Sequence, residues 1–195
     1  MSRRAVHAAD TRQALISEAR RLIAEHGYRD MVLSDVCAAA GVTKGALYHH
    51  FASKEDLFLA VLNDVEQDFI RAGMSAAEAG EQTWDLVRTG CQAFLDQCIE
   101  RNTGRILNEA TAAVGWERAH EVEGRYVGIL AATLGAAAAE GVITTESPEI
   151  LARLLFAIFG EAAAIIAGAV DSKSARRDVG REVDVVLESL RMRAS

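Results

Sequence analysis

Apolar residues recur at helical spacing along the chain, and the elements they predict are all helices. Leu15, Ala19, Leu22 and Ile23 form the buried stripe of a first helix, opened by Asp10 or Thr11 and stopped by Gly27. Residues 1–9 carry no such stripe and are read as an unanchored terminus. Leu57, Val61, Val65 and Phe69 repeat every four residues, so one stiff helix should run from the Ser53 cap to about residue 72, with a loop over 75–82. Trp84, Val87, Cys91, Phe94 and Cys98 share a face over 83–100. After a break at 101–104, helices are expected over about 105–114 and 116–140, separated by Gly115 and stopped by Gly141. Ser147-Pro148-Glu149 combines a cap, a Pro at the first position and an acid near the positive helix end, a clear helix start. The run that follows, to 170, is apolar almost all round and long enough to span a bilayer. Arg153 and Glu161 interrupt it, and each charge near a bilayer centre costs about 2.5 kcal/mol or more, so it is read as a helix buried in protein. A last helix over about 174–192 places Val179, Val183, Val186 and Leu190 on one stripe.

The most informative stretch is 34–57, SDVCAAAGVTKGALYHHFASKEDL. Ser34 is a natural N-cap for a short helix. Gly41 falls where that helix must stop, at a position that wants a left-handed backbone. Thr43 can cap the next helix, with Val42 and Leu47 at the spacing of a hydrophobic staple. Two short helices joined by a tight turn make a helix-turn-helix. In the second helix, over 44–51, Leu47 and Phe51 can turn inward together, which leaves Lys44, Gly45, Ala46, Tyr48, His49 and His50 on the other face. Gly45 and Ala46 give a smooth patch that another backbone can approach, ringed by donors. That surface suits insertion into a DNA major groove.

These residues resemble the DNA-binding signature of the TetR family of bacterial one-component repressors. The likeness is specific over about 10–65, with Gly41, Thr43, Tyr48, Phe51, Lys54 and Leu57 in place. It implies an all-α fold of about nine helices. An N-terminal three-helix DNA-binding domain (1–55) would be joined by a long helix to a larger ligand-binding and dimerisation domain (56–195). It implies that Ser34 and Thr43 lie near phosphates, that Lys44, Gly45 and Ala46 face bases, and that Tyr48, His49, His50 and Lys54 hold the DNA backbone.

Charge sharpens this picture. The 195-residue chain has a net charge of −7, which by itself speaks against nucleic acid. Yet residues 1–55 carry eight Lys and Arg against six Asp and Glu, with four His besides, so the acid is concentrated in the body. The three cysteines lack metal-ligand spacing and are read as buried, reduced thiols. No apolar leader follows Arg3 and Arg4, so a cytoplasmic chain is expected. No phosphate loop, nucleophile elbow or H-E-x-x-H pattern is present, and no cofactor or metal is called for.

A helix apolar on all sides near the C-terminus needs more cover than one chain offers. A homodimer through the helices at about 148–170 and 174–192 supplies it, and two heads would read two half-sites. The resemblance further implies a small-molecule pocket in the body. Its candidate lining is Phe69, Trp84, Phe94, Asn108, Thr111, Trp116 and Tyr126. The function expected is a ligand-responsive repressor that binds a palindromic double-stranded operator. The alternative is a regulator of the same fold that answers to a protein partner, or to no small molecule.

Overall fold

The structure is a computed structural model that describes residues 3–78, 82–100 and 103–191. Among the described residues it holds nine helices: α1 (Arg3–His26), α2 (Leu33–Ala40), α3 (Lys44–His50), α4 (Lys54–Glu78), α5 (Thr83–Glu100), α6 (Thr103–Val114), α7 (Trp116–Ala139), α8 (Pro148–Gly168) and α9 (Ser172–Leu190). Helices α1 to α3 pack around Leu15, Ile16, Ile23 and Leu47 to form a head. Helix α4 lies against α1 on one side and against α5, α6 and α7 on the other. Its 25 residues span about 37 Å at helical rise, so head and body share one rod. In the body α8 packs on α5, α6, α7 and α9 around Leu95, Ile106, Leu134, Leu155 and Ile166.

Several helix ends differ from the sequence expectation, each for a local reason. Helix α1 begins at Arg3 rather than at Asp10 or Thr11. Residues 5–9 hold no Gly or Pro to stop it, and the Thr11 hydroxyl donates back to the His7 carbonyl (2.9 Å) as it does inside a helix. Ser34 is not the N-cap of α2. Val32 takes that place in extended conformation with no side-chain cap bond, because Leu33 packs against the core and enters the first turn. Helix α4 continues through 75–78, where a loop was expected, since Ser-Ala-Ala-Glu are all tolerated in a helix. Thr103 and Gly104 are helical rather than part of a break. Helix α9 starts at Ser172 because the Asp171 carboxylate accepts from the Ser174 N–H (3.0 Å), an anionic cap at the positive end. Residues 79–81 and 101–102, within the other expected loops, lie outside the described residues.

The caps at Ser53 and Ser147 are as expected. Ser53 Oγ accepts from the Asp56 N–H (3.1 Å), while the Asp56 carboxylate accepts from the N–H of Ala52, the residue before the cap (3.2 Å). Ser147 Oγ accepts from the Ile150 N–H (3.3 Å), with Pro148 at the first helical position.

Polar bonds tie the head to the body. Arg20 of α1, 6% exposed, donates to Asp64 (2.8 Å) and Asp68 (2.6 Å) of α4, and reaches the Thr103 hydroxyl of α6 (3.4 Å). Arg105 of α6 donates to the Glu25 carbonyl near the end of α1 (2.8 Å), and Glu109 accepts from the Tyr28 N–H just beyond it. A charged group as buried as Arg20 is tolerated only when paired and hydrogen-bonded.

A candidate DNA-contacting surface and a cavity in the body

The turn between α2 and α3 is built by two residues. Gly41 has φ +68°, ψ 29°, and the next N–H, of Val42, bonds back to the Cys37 carbonyl (2.9 Å), which closes the end of α2. A side chain at that φ would be strained. Thr43 then caps α3, its hydroxyl accepting from the Ala46 N–H (3.2 Å). Leu47 (0% exposed) and Phe51 (4%) anchor α3 inward. Their burial forces Lys44, Gly45, Tyr48 and His49 outward, all exposed, with Ala46 and His50 half-buried at the edge.

Tyr48 stands 56% exposed, an aromatic the core does not use. His49 and His50 lie edge to face at 5.4 Å. Desolvation first, then the charges of His49 and Arg12, lowers the pKa of His50, so it stays neutral more readily than a free imidazole. Arg12 of α1 lies over the Phe51 ring at 5.2 Å, bringing a further cation beside α3. Ser34 and Thr43, on the first turns of α2 and α3, stand half-buried and exposed respectively. Lys54 is positioned otherwise than a free phosphate-binding lysine: its Nζ donates to the Arg29 carbonyl (3.1 Å) and lies over the Tyr28 ring (4.6 Å). It therefore braces the turn after α1 against the start of α4.

The body encloses a small cavity of about 40 Å³. Helix α4 contributes Leu62, Val65 and Glu66; α6 contributes Leu107 and Ala110; α7 contributes Val122, Glu123 and Tyr126; Phe94, Phe156 and Phe159 complete the walls. Of the residues expected there, Phe94 and Tyr126 line it. Trp84 is buried (3% exposed) but is not in its lining. Asn108, Thr111 and Trp116 face solvent; Trp116 is 61% exposed and stacks on His120 at 4.1 Å. The Phe69 side chain lies outside the described residues. Glu66 was not singled out from sequence, although a signal exists: it follows Phe58 and Leu62 at spacings of eight and four, an acid where the helix calls for an apolar residue.

Cys91 and Cys98 are buried and unbonded to each other, and burial pushes the Cys98 thiol up to about 12. Both are therefore protonated and poor nucleophiles or ligands. Among the described residues no group of three or more His, Cys, Asp or Glu is arranged to hold a metal ion. Helix α8 alone among them is long and apolar enough to cross a membrane. One of its faces, from Ala152 through Phe159 to Ile166, is packed within the body.

Comparison with known proteins agrees with this layout. Residues 15–61 match the family described as bacterial regulatory proteins of the tetR family, and residues 84–190 match the tetracyclin repressor-like C-terminal domain. A TetR-family transcriptional regulator from Pectobacterium atrosepticum superposes with a TM-score of 0.79 at 27% identity, over 100% of both chains. The Transposon Tn10 TetC protein of Escherichia coli is 29% identical over 60% of this chain and 59% of its own length. The HTH-type transcriptional repressor AcnR of Corynebacterium efficiens is 38% identical over 36% of each. The chain thus spans about three fifths or less of the length of these two curated relatives. With a head match, a body match covering more than half of the residues and a full-length structural neighbour, the chain belongs to the TetR family of bacterial regulatory proteins, which are transcriptional regulators and not enzymes.

Proposed function

We propose that the protein is a DNA-binding repressor that acts in the cytoplasm as a homodimer and is released from a palindromic operator by a small effector. The observation that carries the reading is α3: Leu47 and Phe51 are consumed by the core, and what remains outward is Lys44, Gly45, Tyr48 and His49 around a small-residue patch. Two such helices in successive major grooves would sit about 34–36 Å apart. The repressor named among the relatives supports the direction of regulation.

The effector reading is supported by where the cavity lies. Its walls include α4 and α6, the two helices that hold α1 through Asp64, Asp68, Thr103, Arg105 and Glu109. A ligand that prefers one placing of α6 and α4 biases the placing of the heads, which is the condition for allostery. A thermal-shift screen separates this from control by a protein partner, because a ligand bound only by the folded chain raises its melting temperature.

The direct test is selection of genomic DNA fragments on the purified protein at near-physiological salt. Enrichment of a shared inverted repeat supports a dimeric reader; no enrichment by ligand-free refolded protein sinks it. Within such a site, Tyr48→Ala is expected to weaken binding about tenfold on every sequence tested, ~1.4 kcal/mol. Its melting temperature should stay unchanged, since the ring is mostly exposed. Lys44→Ala should also relax sequence preference, measured as the ratio of operator to random-duplex affinity. Normal DNA binding by the Tyr48 variant would remove α3 as the reading helix.

A further inference from the structure

The cavity in the body contains a group that an apolar site does not need. Glu66 is 5% exposed. One of its oxygens, Oε2, accepts from Arg125 Nη2 (2.7 Å), but Arg125 is 57% exposed, shares that nitrogen with Asn63 Oδ1 and meets only this one of the two carboxylate oxygens. The other, Oε1, is buried and meets no hydrogen-bond donor among the described residues. A second carboxylate, Glu123, lines the same cavity from α7; its own ionic neighbour is His120, 3.4 Å away at the rim. Desolvation raises the pKa of both carboxyls; Arg125 and the Tyr126 backbone act the other way on Glu66, and His120 on Glu123, without cancelling it. A buried oxygen without a donor costs the full desolvation of that atom, which selection for packing alone would remove.

The chemistry that satisfies this arrangement is a positive charge carrying N–H or polarised C–H groups. Around the two acids stand four aromatic rings, Phe94, Tyr126, Phe156 and Phe159; Tyr126 and Phe156 are 5.8 Å apart, Phe94 and Phe159 5.7 Å. Aromatic faces attract cations and supply an apolar wall for the rest of a ligand. A bound anion would meet two like charges in a poorly solvated site, and a neutral apolar molecule would leave Glu66 still unsatisfied. We propose that the effector of this protein is a compact organic cation, an amine or ammonium on a small aromatic or aliphatic body, held between Glu66 Oε1 and Glu123. At about 40 Å³ the cavity is smaller than a single ring, so its walls must part to admit the body of the ligand. The inference rests on reading the body as an effector domain.

The test compares three probes of similar shape and different charge on the full chain by titration calorimetry: 2-phenylethylammonium, 2-phenylethanol and 3-phenylpropionate. The ammonium is expected to bind at least tenfold more tightly than the alcohol, and the carboxylate more weakly than either. Glu66→Gln and Glu123→Gln should each reduce the preference for the ammonium several-fold, and together abolish it. Both variants are expected to fold with a melting temperature equal to or above that of the parent, since each removes a partly desolvated charge and Arg125 and His120 remain in contact with water. Equal affinity for ammonium and alcohol, a preference that survives both substitutions, or no binding of any probe at millimolar concentration overturns the proposal. Operator release is measured in parallel. If the alcohol binds as well as the ammonium and releases DNA, the effector domain stands and the cationic ligand falls. If the ammonium binds with the expected preference yet DNA stays bound, the cationic site stands and the regulatory reading falls.

Discussion

Replacing Leu154 and Ile165 together by Glu is expected to convert the protein to a monomer and to lower its operator affinity by a factor of about 100 or more. Helix α8 buries one face in its own chain and leaves Ile150, Leu154, Ile158 and Ile165 between 38% and 62% exposed. At 100° per residue these four fall within about 80° of arc, an apolar stripe interrupted by Glu161 rather than scattered exposure. The stripe borders a groove against α9 lined by Ile158, Ile165, Val179 and Val186. In the proposed homodimer a second copy of the same surface, related by a two-fold axis, would cover it without any other partner. In such an isologous contact each substituted residue occurs twice, so the double variant puts four acids into a face that already carries Glu161. Desolvating them costs more than the contact returns. A monomer presents one reading helix and therefore one half-site, which is why the loss of DNA affinity exceeds that of a single α3 contact. Sedimentation gives the mass and fragment retention gives the affinity. Val6→Glu, at an equally exposed apolar residue of the head (44%), should leave the assembly state unchanged. A double variant that still sediments as a dimer would move the interface elsewhere.

What the sequence showed well was local. Gly41, Thr43, Ser53 and the Ser147-Pro148 start act through bonds to residues within four positions, so their roles follow from identity and spacing. The outward face of α3 was legible for the same reason, because Leu47 and Phe51 fix its rotation. Ser34 misled because Val32 and Leu33 compete for the same helix start, and packing of Leu33 decides it. Sequence offered Lys54 as a group that holds DNA phosphate; its contacts with Tyr28 and Arg29, 26 and 25 residues away, could not be read there. The body was harder, since a cavity is defined by which faces of four helices converge. Large aromatics were an uneven guide to it: Phe94 and Tyr126 line it, but Trp116 stacks on His120 in solvent and Trp84 is buried outside its lining. An acid on an apolar stripe, as at Glu66, was the better signal.

The approach of α6 to α8 rests on Gly104. A Cβ at that position would lie 2.6 Å from the Ala163 carbonyl oxygen and 3.2 Å from its carbon, both backbone atoms on the buried face of α8. Thr103 and Ile106 of α6 and Ala162, Ala163 and Ile166 of α8 are all buried at this crossing, so no neighbouring side chain can give way. Gly104→Ala must therefore part the helices, and overpacking of this kind costs about 2–3 kcal/mol. For a chain of this size that is a fall in melting temperature of about 4–12 °C. The same chemical change at Gly90, inside α5, meets nothing within 4 Å and should raise stability by about 0.5–1 kcal/mol, because alanine loses less backbone entropy on entering a helix. The pair removes helix propensity as an explanation, since propensity favours alanine at both sites and only the contact with Ala163 distinguishes them. Differential scanning calorimetry of the two variants decides it. Equal melting temperatures would mean that α6 and α8 are not in this contact, and the tie that runs from Thr103 to Arg20 of the head would lose its rigid support.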